Sequence, residues 1–187
     1  MTAKMIFGMA QSLDGFVAAP DGEITLPPPE EAFHRHFNKQ LKATAVSLYG
    51  RRMYEIMRFW ETADTNPESK PWEVEFAKFW QRVPKVVVSK TLREVGPNAT
   101  LVRTDVESEL RDLKSRTDGI IDVAGPTIAA LCARYGLLDE YRLYFQPVVL
   151  GQGKRFFAEP PGPLKFLGAS KLPQDTILVR YAPIRED

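Results

Sequence analysis

Residues 122–157 read DVAGPTIAALCARYGLLDEYRLYFQPVVLGQGKRFF, and the order of their pieces decides the fold. The apolar run 119–124 reads as a strand that stops at Gly125. Pro126 sits where the first turn of a helix tolerates proline. The helix it opens is predicted to run to residue 135, and Gly136 ends it. A long strand-like run, 138–150, follows, interrupted at Pro147. The triplet Gly151-Gln152-Gly153 begins like a dinucleotide fingerprint, but Phe156 stands where the third glycine belongs, so it reads as a turn.

Working outward, the same alternation holds. Residues 4–10 form an apolar run that Asp14-Gly15 breaks, and 20–29 is a proline-rich loop with an Asp21-Gly22 turn. Residues 30–42 are predicted as a helix, with Glu30 and Glu31 in the first turn and Phe33, Phe37 and Leu41 at i, i+4 and i+8. A strand is expected over 43–49, a helix over 51–58, a polar break over 66–71 and a helix over 72–82. Strands over 85–89 and 99–103, a helix over 106–115 and a last strand over 176–181 complete the reading. Strands alternating with helices argue an α/β fold of one domain, 1–187, with a mostly parallel sheet and helices on both faces; antiparallel pairing is expected near the C-terminus. The loops 20–29 and 159–163 read as surface loops.

The 187 residues are 44% hydrophobic and 26% charged, with a formal net charge of +1. That composition is globular, and that charge supplies no field to attract nucleic acid or an anionic membrane. The lone Cys132 excludes an intrachain disulfide and suits a reducing compartment. MTAKMIFGMA lacks the pattern of a signal peptide, and no stretch approaches the roughly 18 apolar residues of a membrane span. The expected location is the cytoplasm.

In open α/β sheets, ligands bind beyond the carboxyl ends of the strands. Four such ends can be read, at Gln11 to Gly15, at Gly50, Arg51 and Arg52, at Ser89, Lys90 and Thr91, and at Gly125, Pro126 and Thr127, and the last three suit phosphate. Glycine at a helix start lets a phosphate approach free N–H groups, and the arginines, Lys90 and the hydroxyls add charge and donors. Together they suggest a ligand with separated phosphates, such as a dinucleotide with a 2′-phosphate. Each element also has a plainer reading, as packing glycine or solvated charge. Asp14 is the best placed carboxylate, with an Asp-Gly turn as its alternative. Phe33, Phe37, Trp60, Tyr144 and Phe145 would line an apolar pocket for a flat ring or serve the core. His34 and His36, two apart on a helix, make a poor metal pair, and no metal is expected.

Taken in order, MAQSLDGFVA, LYGRRMYE with Trp60 beyond it, VVVSKTL and the stretch 122–157 resemble the dihydrofolate-reductase-like family. The type member is the C-terminal reductase domain of the bifunctional riboflavin-biosynthesis deaminase-reductase, RibD. The match covers about 4–181. The resemblance implies a three-layer α/β/α fold around a mixed, mostly parallel sheet of about eight strands. It implies NADPH lying across the strand ends, on Ala10, Gly50, Arg51, Arg52, Ser89, Lys90, Thr91, Gly125, Pro126 and Thr127. Arg51 and the Ser89 loop would take the adenosine end with its 2′-phosphate, and Gly125 with the following helix the pyrophosphate. Asp14 would lie in the loop over the nicotinamide, and substrate would face Phe33, Phe37, Trp60 and Tyr144. Two departures stand out: Ala124-Gly125 replaces paired glycines, and the acid with which dihydrofolate reductases hold the pterin falls at Phe33 or His34. Folate reduction is therefore not expected, and nothing here resembles the deaminase domain.

The expected function is NADPH-dependent reduction of a small heterocycle, most like 5-amino-6-(5-phosphoribosylamino)uracil, with Asp14 nearest the reacting centre. The alternative is a non-catalytic NADP(H)-binding module acting as sensor or scaffold. A homodimer is expected if the apolar stretches 141–145 and 148–150 lie at an edge.

Overall fold

The computed structural model describes residues 3–184. Strand β1 (Lys4–Gln11) occupies the middle of the sheet and is followed by the short β2 (Phe16–Ala18), helix α1 (Glu31–Lys42) and strand β3 (Thr44–Gly50). Helix α2 (Arg51–Met57) leads through a 3-10 turn (Arg58–Glu61) to helix α3 (Pro71–Arg82), then β4 (Lys85–Val88) and β5 (Ala99–Val102). Helix α4 (Val106–Arg116), β6 (Ile120–Ala124) and α5 (Pro126–Arg134) precede β7 (Glu140–Phe145), the two-residue β8 (Lys154–Arg155), β9 (Leu164–Lys171) and β10 (Ile177–Pro183).

Eight strands form one sheet in the order β5-β4-β3-β6-β1-β7-β10-β9. The first six are mutually parallel, and β10 and β9 add antiparallel at one side. Alternation along the strands builds the two outer layers. Met5, Phe7, Ile121, Val123, Tyr141 and Leu143 face one way, into a core with Leu110 and Leu113 of α4 and Ile128 and Cys132 of α5. Helix α1 covers the opposite face, where Phe33 packs on Tyr144 and Leu178, and Leu41 meets Trp80 of α3. Each large side chain so buried contributes about 1.5–3 kcal/mol, which makes this two-sided core the main source of stability.

Besides the short β2 and β8, which the sequence reading lacked, the structure departs from it in three places. The run 138–150 ends as a strand at Phe145. Pro147 has no N–H for a ladder, and Val148 instead accepts a hydrogen bond from Leu13 N at 2.8 Å, fastening this segment to the loop after β1. β9 is an additional strand that the sequence reading lacked; of its residues only Leu164 and Gly168 escape full exposure, so no apolar alternation marks it. β7 lies between β1 and β10, so 141–145 is interior and offers no edge for a partner. Val149 of the 148–150 stretch is exposed, and a group of exposed apolar side chains, Phe166 (58%), Leu167, Ile177 and Ile184, lies around the open edge of β9.

Candidate active site

Parallel strands deliver their carboxyl ends to one edge of the sheet, and there a groove of about 940 Å³ opens on the α5 side. Gly50, Arg51, Arg52, Gly125, Pro126 and Thr127 all line it, so two of the four predicted strand ends meet in one cavity. Met9 and Val88 contribute apolar floor, and 17–24 with 153–159 form the opposite wall. The pairing of β2 with β8 holds that wall together.

Gly125 is the N-cap of α5 at φ +113°, ψ 133°, a conformation that L side chains rarely adopt. Its Cα faces Met53 and Ile128, where a Cβ would come within 3.5 Å and 3.7 Å. The first N–H groups of a helix have no partner within it, and the first turn of α5 lines the groove. Gly50 differs: its φ is −81°, and a Cβ would meet Ile128 at an ordinary 3.7 Å. Gly153, across the groove, has no room at all, since a Cβ would lie 2.1 Å from the carbonyl oxygen of Ala18.

The third strand end joins the groove through an arginine. Arg51 Nη1 donates to Thr91 Oγ1 at 2.8 Å, and its Nε donates to Glu55 at 2.8 Å. Ser89 is committed locally: its Oγ accepts from the N–H groups of Thr91 and Leu92, shaping the turn after β4, while Lys90 is exposed beside it. Arg52 reaches the other way. Its Nη2 donates to the carbonyl of Asp21 at 2.6 Å and its guanidinium lies under Gly22, so it clamps the loop that walls the groove.

Asp14 holds a loop. Its carboxylate accepts from Gly151 N at 2.7 Å and Leu150 N at 3.1 Å. A hydrogen bond from Ser12 is the largest cause that lowers its pKa, to about 2, with the two backbone donors adding to it. The group is therefore ionised at neutral pH, with its acceptor capacity turned toward 148–151.

The aromatic residues separate into two clusters. Phe33 and Tyr144 are almost fully buried, and Phe37 and Ala10 pack beside them. Trp60 stacks elsewhere, on Phe76, in the cluster of Leu41 and Trp80; His34 bridges toward it at 5.8 Å. The sequence reading missed the polar groups of the α1 face. Gln40 Nε2 donates to Tyr144 Oη at 2.5 Å and lies 2.6 Å from His36 Nε2. Burial lowers the pKa of His36, and the charges of Arg142 and Lys39 lower it further, so its ring is neutral. Period-two alternation in β6 and β7 was the available signal, since it puts Asp122, Glu140, Arg142 and Tyr144 on this one face. Cys132 is buried, and burial pushes its thiol up to about 12, far from a reactive thiolate. Among the described residues no group of three or more His, Cys, Asp or Glu is placed to hold a metal, and no helix is long and apolar enough to cross a membrane.

The two central strands part at this edge. β1 and β6 pair only from Lys4↔Ile120 to Phe7↔Val123. β1 continues beside β7 to Gln11↔Phe145, and β6 beside β3 to Tyr49↔Ala124. From Gly8 and Ala124 onward β1 and β6 are no longer paired, and a split opens between them beside the groove.

Residues 3–178 match the RibD C-terminal domain family. Among curated proteins, the uncharacterized protein YyaP of Bacillus subtilis is 28% identical over 159 residues, which cover 83% of this chain and 81% of that protein. Among solved structures, the deaminase and 5-amino-6-(5-phosphoribosylamino)uracil reductase of Thermotoga maritima superposes over 98% of this chain with a TM-score of 0.66 at 16% identity. The chain spans 57% of that bifunctional enzyme. Dihydrofolate reductase of Enterococcus faecalis, solved with NADP(H), superposes over 97% of this chain and 98% of its own, with a TM-score of 0.64 at 13% identity. The fold is thus the dihydrofolate-reductase-like three-layer α/β/α arrangement.

Proposed function

This chain belongs to the RibD C-terminal domain family, and from that membership and the groove beyond its strand ends we propose that it is an NADPH-dependent oxidoreductase acting on a small heterocycle. The observation that carries the reading is Gly125, held at φ +113° at the start of α5 and lining the groove beside Met53 and Ile128. A residue with a Cβ would be strained there, and that strain would disturb the helix start whose N–H groups a pyrophosphate needs.

The residues present fit a dinucleotide. The N–H groups at Gly125 and Thr127 would hold the pyrophosphate. Arg51, fixed by Thr91 and Glu55 with Lys90 beside it, would hold a 2′-phosphate. Arg52, tied to Asp21, positions the loop over the groove rather than serving as a phosphate ligand. Gly8, Ala10 and Met9 would border the nicotinamide end at the split. Bound there, the reduced nicotinamide supplies a hydride. The chain's part is to orient the ring, exclude water and receive the substrate from the α1 side, where Phe33, Phe37 and Tyr144 supply aromatic surface; Trp60 lies farther out, against α3. Asp14 acts by position: ionised and bound to 150–151, it fixes the loops that border the split.

Substrate identity follows the family. We take 5-amino-6-(5-phosphoribosylamino)uracil as the first compound to test and the cytoplasm as the location. A second copy would pair along the open edge of β9, where Phe166 and Leu167 are exposed; light scattering of the purified chain tests this.

Thermal unfolding with NADPH and with NADH tests the cofactor. A ligand at 100 times its Kd adds about 2.7 kcal/mol, a rise of about 5–10 °C for a chain of this size. A larger rise with NADPH supports the reading, and no rise with either removes it. Binding without turnover would favour a sensor or scaffold instead.

A further inference from the structure

Asp122 lies in β6, between Ile6 of β1 and Ser47 of β3 in register. Its neighbours Ile121 and Val123 point into the core under α4 and α5, so its carboxylate points to the α1 face. It is half-buried, two register steps before the split between β1 and β6 opens at Ala124 and Gly8. Gly8, also half-buried, has no space for a Cβ without crowding Arg142 and Tyr144 at 3.2 and 3.3 Å, so the split is bordered here by bare backbone.

The neighbouring charges are spent on one another. Glu140 accepts from Lys4 at 2.5 Å, Arg142 at 2.8 Å and Arg180 at 2.7 Å. Lys85, in register with Ser47, is turned onto the carbonyls of Trp80 and Val83. Arg142 is the cation whose field reaches Asp122. From α1, His36 is neutral and bonded with Gln40 and Tyr144; Tyr49, from β3, accepts from Trp80 Nε1. Among the described residues the Asp122 carboxylate takes part in no hydrogen bond, although its backbone pairs with β1 and β3, and the buried hydroxyl of Ser47 beside it makes no hydrogen bond of good geometry. Buried polar groups are ordinarily satisfied. A half-buried carboxylate without a bond, set beside one buried unsatisfied hydroxyl and close to a split in the middle of the sheet, marks a place for a ligand's polar edge.

We propose that Asp122 is the acid of the reaction, facing the substrate from the α1 side of the sheet and protonating it as the hydride arrives. This rests on the reductase reading above. The substrate carbon gains the hydride with its two electrons as the C=N or C=O π bond breaks. The nitrogen or oxygen takes the proton of Asp122. The dinucleotide is left oxidised, and the carboxylate recovers its proton from solvent. Burial raises Asp122 to about 6, with Arg142 opposing, so an appreciable fraction carries a proton near neutrality. Asp14, bound and ionised, has none to give.

The test has two arms. In the first, the chain is labelled with carboxyl-13C aspartate and titrated by NMR from pH 4 to 8, the Asp122 signal being identified by its loss in Asp122→Asn. A midpoint near 6 is expected; a carboxylate ionised throughout overturns the proposal, whatever the substrate proves to be. In the second, NADPH oxidation is followed with 5-amino-6-(5-phosphoribosylamino)uracil. Wild-type kcat should fall as pH rises above about 6. Asp122→Asn should lose on the order of 10²-fold in kcat and lose that limb of the profile, while keeping its NADPH-induced thermal shift. A variant that keeps its rate and its pH profile overturns the proposal and leaves the reductase reading intact. A wild-type chain that neither shifts with NADPH nor oxidises it sinks the reductase reading itself, and this step with it.

Discussion

Arg51 is joined to Thr91 by a 2.8 Å hydrogen bond that ties the first residue of α2 to the turn after β4. Two strand ends separated by forty positions in sequence thereby present one cationic corner to the groove. A fixed guanidinium loses less freedom on meeting a phosphate than a waving one. Arg51→Ala should therefore weaken NADPH binding on the order of 10- to 100-fold, the value of one or two hydrogen bonds to a charged group. NADH binding should change little. Calorimetry with both dinucleotides at low and high salt checks this, and equal losses for the two would place the 2′-phosphate elsewhere.

Gly125 and Gly50 look alike in the sequence, each between a strand and a helix, but their backbones differ. Gly125 sits at φ +113° and Gly50 at −81°. Gly125→Ala should cost about 1–3 kcal/mol of stability from backbone strain and abolish the thermal shift with NADPH. Gly50→Ala should cost about 1 kcal/mol or less and keep most of the shift. Thermal unfolding of both variants, with and without NADPH, decides it.

That contrast shows what the sequence made legible. Strand-then-glycine-then-helix at 119–135 gave the parallel unit, and the residues after each strand gave the edge where the groove lies. Side-chain direction was hidden. Nothing in Arg51-Arg52 says that one guanidinium turns to Thr91 and the other to the carbonyl of Asp21, because the partners lie forty and thirty-one residues away. β9 escaped because an edge strand exposed on both faces carries no apolar period. Asp122 escaped because GIIDVA reads as an apolar strand in which one acid looks incidental. Only the register of β6 against β1 and β3 puts it beside the split.

Asp14 stabilises through its charge. Its pKa is held near 2, below the ordinary 3.8, first by Ser12 and then by the N–H groups of Leu150 and Gly151. A depressed carboxyl contributes stability that is fully present above the unfolded pKa and is lost as pH falls through the folded one, here from about 4 to 2. Asp14→Asn should remove that acid sensitivity and increase hydrogen exchange at Leu150 and Gly151. NADPH affinity should stay nearly intact while turnover falls. Unchanged exchange at both amides would show that the loop holds without the carboxylate.

Glu140 is the hub of the α1 face. Its side chain is fully buried and receives Lys4, Arg142 and Arg180. Burial alone would raise its pKa, but the bonds from Arg180, Lys4 and Arg142 bring it down to about 2. Removing it leaves Arg142, itself only 20% exposed, without its counter-ion. Glu140→Ala should cost about 3 kcal/mol, the lower end for breaking a buried pair, since Lys4 and Arg180 are partly solvated. Denaturant unfolding at pH 7 measures it. The difference from wild type should shrink as pH falls below about 4 toward 2, where the wild-type carboxylate also loses its charge.

Asp122 has the opposite sign. Its carboxyl is raised from 3.8 to about 6, chiefly by burial, so folding favours the neutral form. The unfolded chain ionises first, and the folded state therefore loses stability as pH rises from about 4 to 6. Above 6 the penalty is constant, because both states are then ionised. At about 1.4 kcal/mol for each pH unit between the two midpoints, that penalty reaches up to about 3 kcal/mol at pH 7.5. Asn keeps the shape and carries no charge, so Asp122→Asn should be more stable than wild type at pH 7.5 and gain little at pH 4. A structural role would give the reverse, a loss at every pH. A stabilised, well-folded variant that has lost turnover is the result expected of a residue kept for chemistry at the expense of the fold. Denaturant unfolding of the pair at pH 4 and 7.5, read beside the rate of NADPH oxidation, separates the two.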